Sequence, residues 1–134
     1  MSALLADMSS DLEALKTEDP DASATRKAAL EAVGLLKGAT GSLLEMLASP
    51  RPDRAMAVAV PYLKLCGYVT GGWLMAKASA IAAKHKDGPD REFYSAKLRT
   101  ALFYAEQVLP VTIGLARIVV NGADSVVETD AALV

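Results

Sequence analysis

Three helix-incompatible breaks divide this chain, and only long apolar stretches are left between them. Thr17-Glu18-Asp19-Pro20-Asp21, Ser49-Pro50-Arg51-Pro52-Asp53 and Asp87-Gly88-Pro89 each join proline to small or acidic turn residues. Between the breaks, apolar residues recur at three- and four-residue steps, the period of an amphipathic helix. Leu4, Leu5, Met8, Leu12 and Leu15 share one face of the first stretch. Leu30, Val33, Leu36, Leu43, Leu44 and Leu47 point inward from the second. The spacing predicts helices over about 2–16, 20–48, 54–86 and 91–120, with a turn and frayed tail over 123–134. Long helices on short connections pack most simply as an antiparallel four-helix bundle, here with kinks in the third and fourth. Of the 134 residues 52% are apolar, many of them the strong helix formers alanine and leucine, so the expected class is all-α. One domain is the natural count at this length, which buries roughly two-thirds of the unfolded surface.

Local chemistry marks the helix ends. Asp19 is placed to cap the second helix, with Pro20 at its first position, where a missing N–H costs nothing. Lys84, His85 and Lys86 close the third helix, where cations complement the dipole. Asp90 is expected to cap the fourth helix, and Asn121-Gly122 reads as a left-handed stop. Pro61 lies close to the start of the third helix or kinks it. Pro110 bends the fourth by deleting one backbone hydrogen bond and crowding the preceding turn.

Charge and composition exclude several classes of function. A net charge of −2 gives no basic face for nucleic acid. Cys66 is alone, so neither a disulfide framework nor a metal cluster is expected, and a reducing cytoplasm fits. Asp7, Asp11 and Glu13 stand where a secretory leader needs a basic start and an apolar run. No membrane span is expected: in the apolar third helix the uncharged run from Leu65 to Ala76 is too short for a hydrocarbon core of ~30 Å. His85 has no Cys or His at ligand spacing, which argues against a metal. Glu31, Glu45, Glu92 and Glu106 are scattered among cations as surface charges, and no nucleophile–base pair is visible.

The glycines and aromatics need more explanation. Gly34 and Gly38 lie in the second helix, Gly67 and Gly71 in the third, and each costs up to ~1 kcal/mol against alanine. Close approach of the two helices, glycine patch to glycine patch, is the expected compensation. A phosphate loop is the rival, but the glycines follow no strand and no Lys-Ser/Thr follows them. Every aromatic lies on the third or fourth helix. Most belong to the bundle core, while Trp73, Phe103 and Tyr104 are candidates for a subunit or domain contact. Phe103 and Tyr104, being adjacent, point about 100° apart, so they cannot face one core equally.

Several of these residues also form short motifs: Pro61-Tyr62-Leu63, Gly71-Gly72-Trp73, Phe93-Tyr94-x-x-Lys97, Thr100-Ala101-x-Phe103-Tyr104-Ala105-Glu106, Leu109-Pro110 and Gly122-Ala123-Asp124-Ser125-Val126. Together they resemble the C-terminal helical domain that follows the catalytic core in one branch of the acyl-CoA dehydrogenases. The likeness is dense over the last half of the chain and rests on pattern in the first. It implies a structural or assembly role in an enzyme of fatty acid metabolism, as a homodimer or against a catalytic core. By the same resemblance the parent enzyme carries FAD and desaturates acyl-CoA thioesters. No motif matches the segment that bears the family's catalytic glutamate, so no catalytic, cofactor-binding or metal-binding residue is carried over. The alternative is a free-standing bundle that dimerises, binds a partner helix, or holds a small apolar ligand between its third and fourth helices.

Overall fold

The computed structural model describes residues 1–129, and every regular element among them is helical. The outermost part of the expected tail lies outside the described residues. The longest helix, α2 (Pro20–Ala48), starts as its sequence directs: the Asp19 carboxylate accepts from the N–H groups of Asp21 and Ala22, both at 3.0 Å. The preceding helix, α1 (Ser2–Ala14), ends earlier than its apolar period suggests. Arg26 of α2 donates to the carbonyls of Leu12 and Glu13, taking up acceptors that a further turn would have used.

The third stretch is not one helix. It divides into α3 (Asp53–Ala57) and α4 (Ala59–His85) at Val58, which is buried and non-helical. Pro61 explains the division. In a continuous helix its ring would press on the carbonyl of Ala57, whereas in the first turn of α4 it displaces nothing. The break therefore falls one turn before the proline.

The fourth stretch is interrupted too. After α5 (Arg91–Phe103) a π turn runs over Tyr104–Val108, and α6 (Val111–Asn121) starts just past Pro110. Leu109 N–H reaches back five residues to the carbonyl of Tyr104 at 3.0 Å, so one extra residue is accommodated ahead of the proline. Asp90 occupies the N-cap position of α5, but its side chain makes no capping bond. Gly122 is not left-handed. It stays right-handed at φ −94°, with its N–H on the Ile118 carbonyl at 2.7 Å, and the chain continues into α7 (Ala123–Val127). Gly122 is nonetheless constrained, because a Cβ there would meet the Ile118 carbonyl oxygen at 2.6 Å.

Helices α2 and α4 form the centre, α5 and α6 pack across both, and α1 lies on α2 and touches α4. At one end α3 rests on α7, with Arg54 and Asp124 2.7 Å apart as a charge contact. The α2 seam is finer-grained than a leucine face: Ala29, Ala32, Val33, Leu36 and Ala39 are buried, whereas Leu44 and Leu47 are 55% and 53% exposed. The start of α1 reaches only the level of Gly41 and Leu44, so the last turns of α2 lose that cover. Leu4 is likewise outside.

Arg91–Asn121, taken as one 31-residue span, is long and apolar enough to cross a membrane by length and composition. Sequence reasoning against a span weighed the third helix; by length and composition alone it is the fourth stretch that passes. Only 28% of its most apolar window is buried, so much of its apolar surface faces outward.

Candidate interaction surfaces

The expected glycine-to-glycine crossing does not form. Gly34, Gly38 and Gly67 are exposed, and a Cβ built on any of them meets nothing within 4 Å. Helical phase accounts for this: Ala32, Val33 and Leu36 take the inward positions of α2, and Leu65, Val69 and Gly72 those of α4. Gly71 does mark a close approach, but to a side chain. A Cβ there would lie 2.2 Å from the Tyr104 hydroxyl oxygen and 2.8 Å from its Cζ. Gly72, which sequence spacing left out of the packing set, is buried against Leu109, with Cδ2 2.8 Å from an ideal Cβ.

Tyr104 and Leu109 are the two ends of the π turn's long hydrogen bond, so the turn fixes the spacing with which they seat on Gly71-Gly72. The Tyr104 hydroxyl donates to the carbonyl of Tyr68 at 2.9 Å, and burial raises its pKa above the usual phenol value. Below the turn a small hollow of about 120 Å³ remains between α2 and the α5–α6 junction, lined in part by Leu35, Pro110 and Ile113. It lies away from the third–fourth helix boundary where an apolar ligand was considered, and it is too small for a drug-sized ligand.

Trp73, Phe103 and Tyr104 fall in three different places. Trp73 is half-buried, and its indole N–H donates to the Asp11 carboxylate at 3.2 Å. Lys77 reaches the same carboxylate at 2.9 Å and sits over the indole ring. The Lys77 hydrogen bond holds the Asp11 pKa below the usual carboxylate value, against desolvation that raises it. Trp73 therefore anchors α1 to α4. Tyr104 faces inward, and Phe103 is 62% exposed. A second clasp joins Lys86 to Asp19 at 2.6 Å, tying the end of α4 to the start of α2.

The buried polar residues among those described are Thr25, Thr40, Ser79 and Thr112; each hydroxyl donates to a carbonyl three or four residues back, and Thr40 also lies 2.9 Å from the Tyr62 hydroxyl of α4. His85 stacks on Tyr94 at the end of α4, with ring centroids 5.0 Å apart. Among the described residues no three His, Cys, Asp or Glu side chains cluster closely enough to hold a metal ion. The hollow of about 570 Å³ at the α1–α2 corner is open and lined by Glu13, Lys16, Glu18 and Arg26 among others.

The surface is more informative. One stripe of α4 exposes Val60, Leu63, Leu74 and Ile81 at 63%, 72%, 53% and 56%. Further apolar side chains stand outside on α6 and α7: Val111 and Ile118 on one flank of α6, Ile113 and Val120 on the other, and Val126 on α7. Sequence reasoning missed both. The signal was present in α4, where Val60, Gly67, Leu74 and Ile81 recur every seven residues, but a helix apolar all round hides which stripe faces out.

Comparison with known proteins agrees with this geometry. Residues 4–130 match the family model described as Acetyl-CoA dehydrogenase C-terminal like. A stretch of 59 residues, 43% of the chain, is 44% identical to a 3-methylmercaptopropionyl-CoA dehydrogenase of Ruegeria pomeroyi. That match spans 10% of the relative's length.

Proposed function

The chain belongs to the Acetyl-CoA dehydrogenase C-terminal like family, and on that premise we propose that it is a non-catalytic assembly domain. It packs against the catalytic core of an acyl-CoA dehydrogenase-like flavoenzyme and self-associates as a homodimer in the cytoplasm. In this reading the core carries the FAD and desaturates the acyl-CoA thioester, a step of fatty acid metabolism, and this chain supplies apolar surface.

One observation carries the reading: the apolar side chains divide between a closed interior and an outward surface that includes a continuous stripe on α4. Isolated exposed leucines are ordinary, but a continuous apolar stripe along α4, together with exposed valines and isoleucines on α6 and α7, is what a protein interface requires. The interior supports the non-catalytic half, since each buried hydroxyl among the described residues bonds a carbonyl three or four residues back, and Thr40 in addition pairs with Tyr62, so these groups serve packing. The test is direct. The purified chain is expected to be colourless and to show no turnover with acyl-CoA and an artificial electron acceptor. A stoichiometric flavin spectrum that survives gel filtration overturns the reading.

A further inference from the structure

We infer that the exposed stripe of α4 is the self-association surface, pairing antiparallel with the same stripe of a second copy about a two-fold axis between Thr70 and Gly71. The inference rests on the assembly reading above and assigns it a surface and a register.

The stripe comprises Val60, Leu63, Gly67, Leu74, Ala78 and Ile81, all exposed, with Leu65, Val69, Gly72 and Ala76 buried on the opposite side. A seven-residue repeat keeps such a stripe facing a partner helix along its whole length. From Val60 to Ile81 it runs about 32 Å at 1.5 Å per residue. A two-fold contact must be complementary to itself, which few stripes are. This one is. The axis sets Leu63 against Ala78 of the partner subunit, Leu74 against Gly67 of the partner subunit, and Val60 against Ile81 of the partner subunit. Two bulky residues thus meet small ones, and Gly67 admits a leucine into its open face, where a Cβ would touch nothing within 4 Å. Sliding the two helices past one another by seven residues, two turns, either sets Leu74 against itself or leaves Ile81 uncovered.

Charge is compatible with this register. Lys64 lies opposite Lys77 of the partner subunit, but Lys77 is drawn aside by Asp11 at 2.9 Å. The stripe itself carries no charge. At the far end Phe93, 57% exposed, stands edge-on to Tyr94, whose ring stacks on His85, so it extends the apolar surface beyond Ile81. At roughly 100 Å² for each bulky side chain, one copy contributes on the order of 500 Å². The pair then buries about 1,000 Å², the lower bound for a specific interface. A weak, reversible dimer follows.

Sedimentation equilibrium of the chain and three variants tests this. Expected are a concentration-dependent wild-type dimer, a Leu74→Glu variant weakened at least ~50-fold, and an Ile113→Glu variant that still dimerises. Leu74 is half exposed, so its variant should keep the wild-type helical circular dichroism; Leu63→Lys is the independent second disruption. In a Cys66→Ser background, Thr70→Cys lies beside the axis and should form an intermolecular disulfide under mild oxidation. A dimer that survives both Leu74→Glu and Leu63→Lys, or is lost on Ile113→Glu, overturns the α4 assignment alone. A wild-type monomer at millimolar concentration overturns self-association itself, while the non-catalytic reading is decided separately by the flavin test.

Discussion

Replacing Gly71 with alanine tests the contact that joins the two interrupted helices. A methyl group at this position would lie 2.2 Å from the Tyr104 hydroxyl and 2.8 Å from its Cζ, so the phenol must move. A tyrosine ring is rigid beyond two torsions, and moving it breaks the 2.9 Å hydrogen bond to the Tyr68 carbonyl. Overpacking of this kind costs about 1–3 kcal/mol, and the lost hydrogen bond adds about 1 kcal/mol. Removing glycine from a helix interior offsets about 1 kcal/mol. The net expectation is a loss of about 1–3 kcal/mol, or roughly 3–10 °C in Tm for a chain of this size. Gly72→Ala is expected to be milder, although its Cβ would stand only 2.8 Å from Leu109, because the atom struck is the end of a flexible side chain. Urea unfolding followed by circular dichroism measures both. Adding Tyr104→Phe to Gly71→Ala removes the closest clash and should recover at least ~0.5 kcal/mol relative to additivity. A Gly71→Ala protein as stable as wild type would show that Tyr104 does not seat on this glycine.

The exposed glycines should behave in the opposite way: Gly34→Ala and Gly38→Ala meet no atom within 4 Å, and each is expected to stabilise by about 0.5–1 kcal/mol in the same assay. Asp11→Asn should loosen α1, shifting Trp73 fluorescence to the red and exposing the first helix to limited proteolysis, because Lys77 and the indole lose their shared carboxylate. Asp19 has its pKa lowered chiefly by the hydrogen bond from Lys86, with the α2 N–H groups adding to it against desolvation. Its stabilising contribution is therefore complete above the ordinary carboxylate value and is lost as pH falls through the lowered one. An acid titration of stability in Asp19→Asn should be flatter than wild type below about pH 4; identical slopes would contradict the assignment. Burial raises the Cys66 pKa, so its reaction with a disulfide reagent at pH 8 should be slower than that of free cysteine.

Helix existence was legible because helix-breaking residues are local. Asp19-Pro20 and Asp87-Gly88-Pro89 fixed two boundaries through dihedral restrictions and capping that need no tertiary partner. What happens at the two internal prolines was less legible. A proline states that a helix cannot continue unchanged, but not whether the chain breaks a turn earlier, as at Val58, or inserts a residue, as before Pro110. That choice depends on which side chains must reach the core. The glycine pairs failed for a related reason. Spacing identifies residues on one helical face without saying which face is inward, and in α2 the alanines Ala29, Ala32 and Ala39 took the seam instead. The exposed α4 stripe was hidden by the same ambiguity, since α4 is apolar on nearly every side.

Three of the motifs that carried the resemblance to a dehydrogenase domain converge on one contact. Gly71-Gly72, Tyr104 and Leu109-Pro110 lie far apart along the chain, yet proline forces the π turn, the turn sets Tyr104 against Leu109, and the paired glycines receive both. Each part is unfavourable alone: a π turn is rare, an internal proline deletes a hydrogen bond, and two adjacent glycines weaken a helix. They offset one another only when assembled, which is why they read in the sequence as unexplained punctuation. Such a constellation specifies how α4 meets α5 and α6, and it holds no group that gains or loses a proton near neutrality. These recognisable residues of the chain therefore form a packing joint between α4 and the α5–α6 junction. What that joint positions is the outward surface on either side of it, the α4 stripe and the exposed valines and isoleucines of α6 and α7.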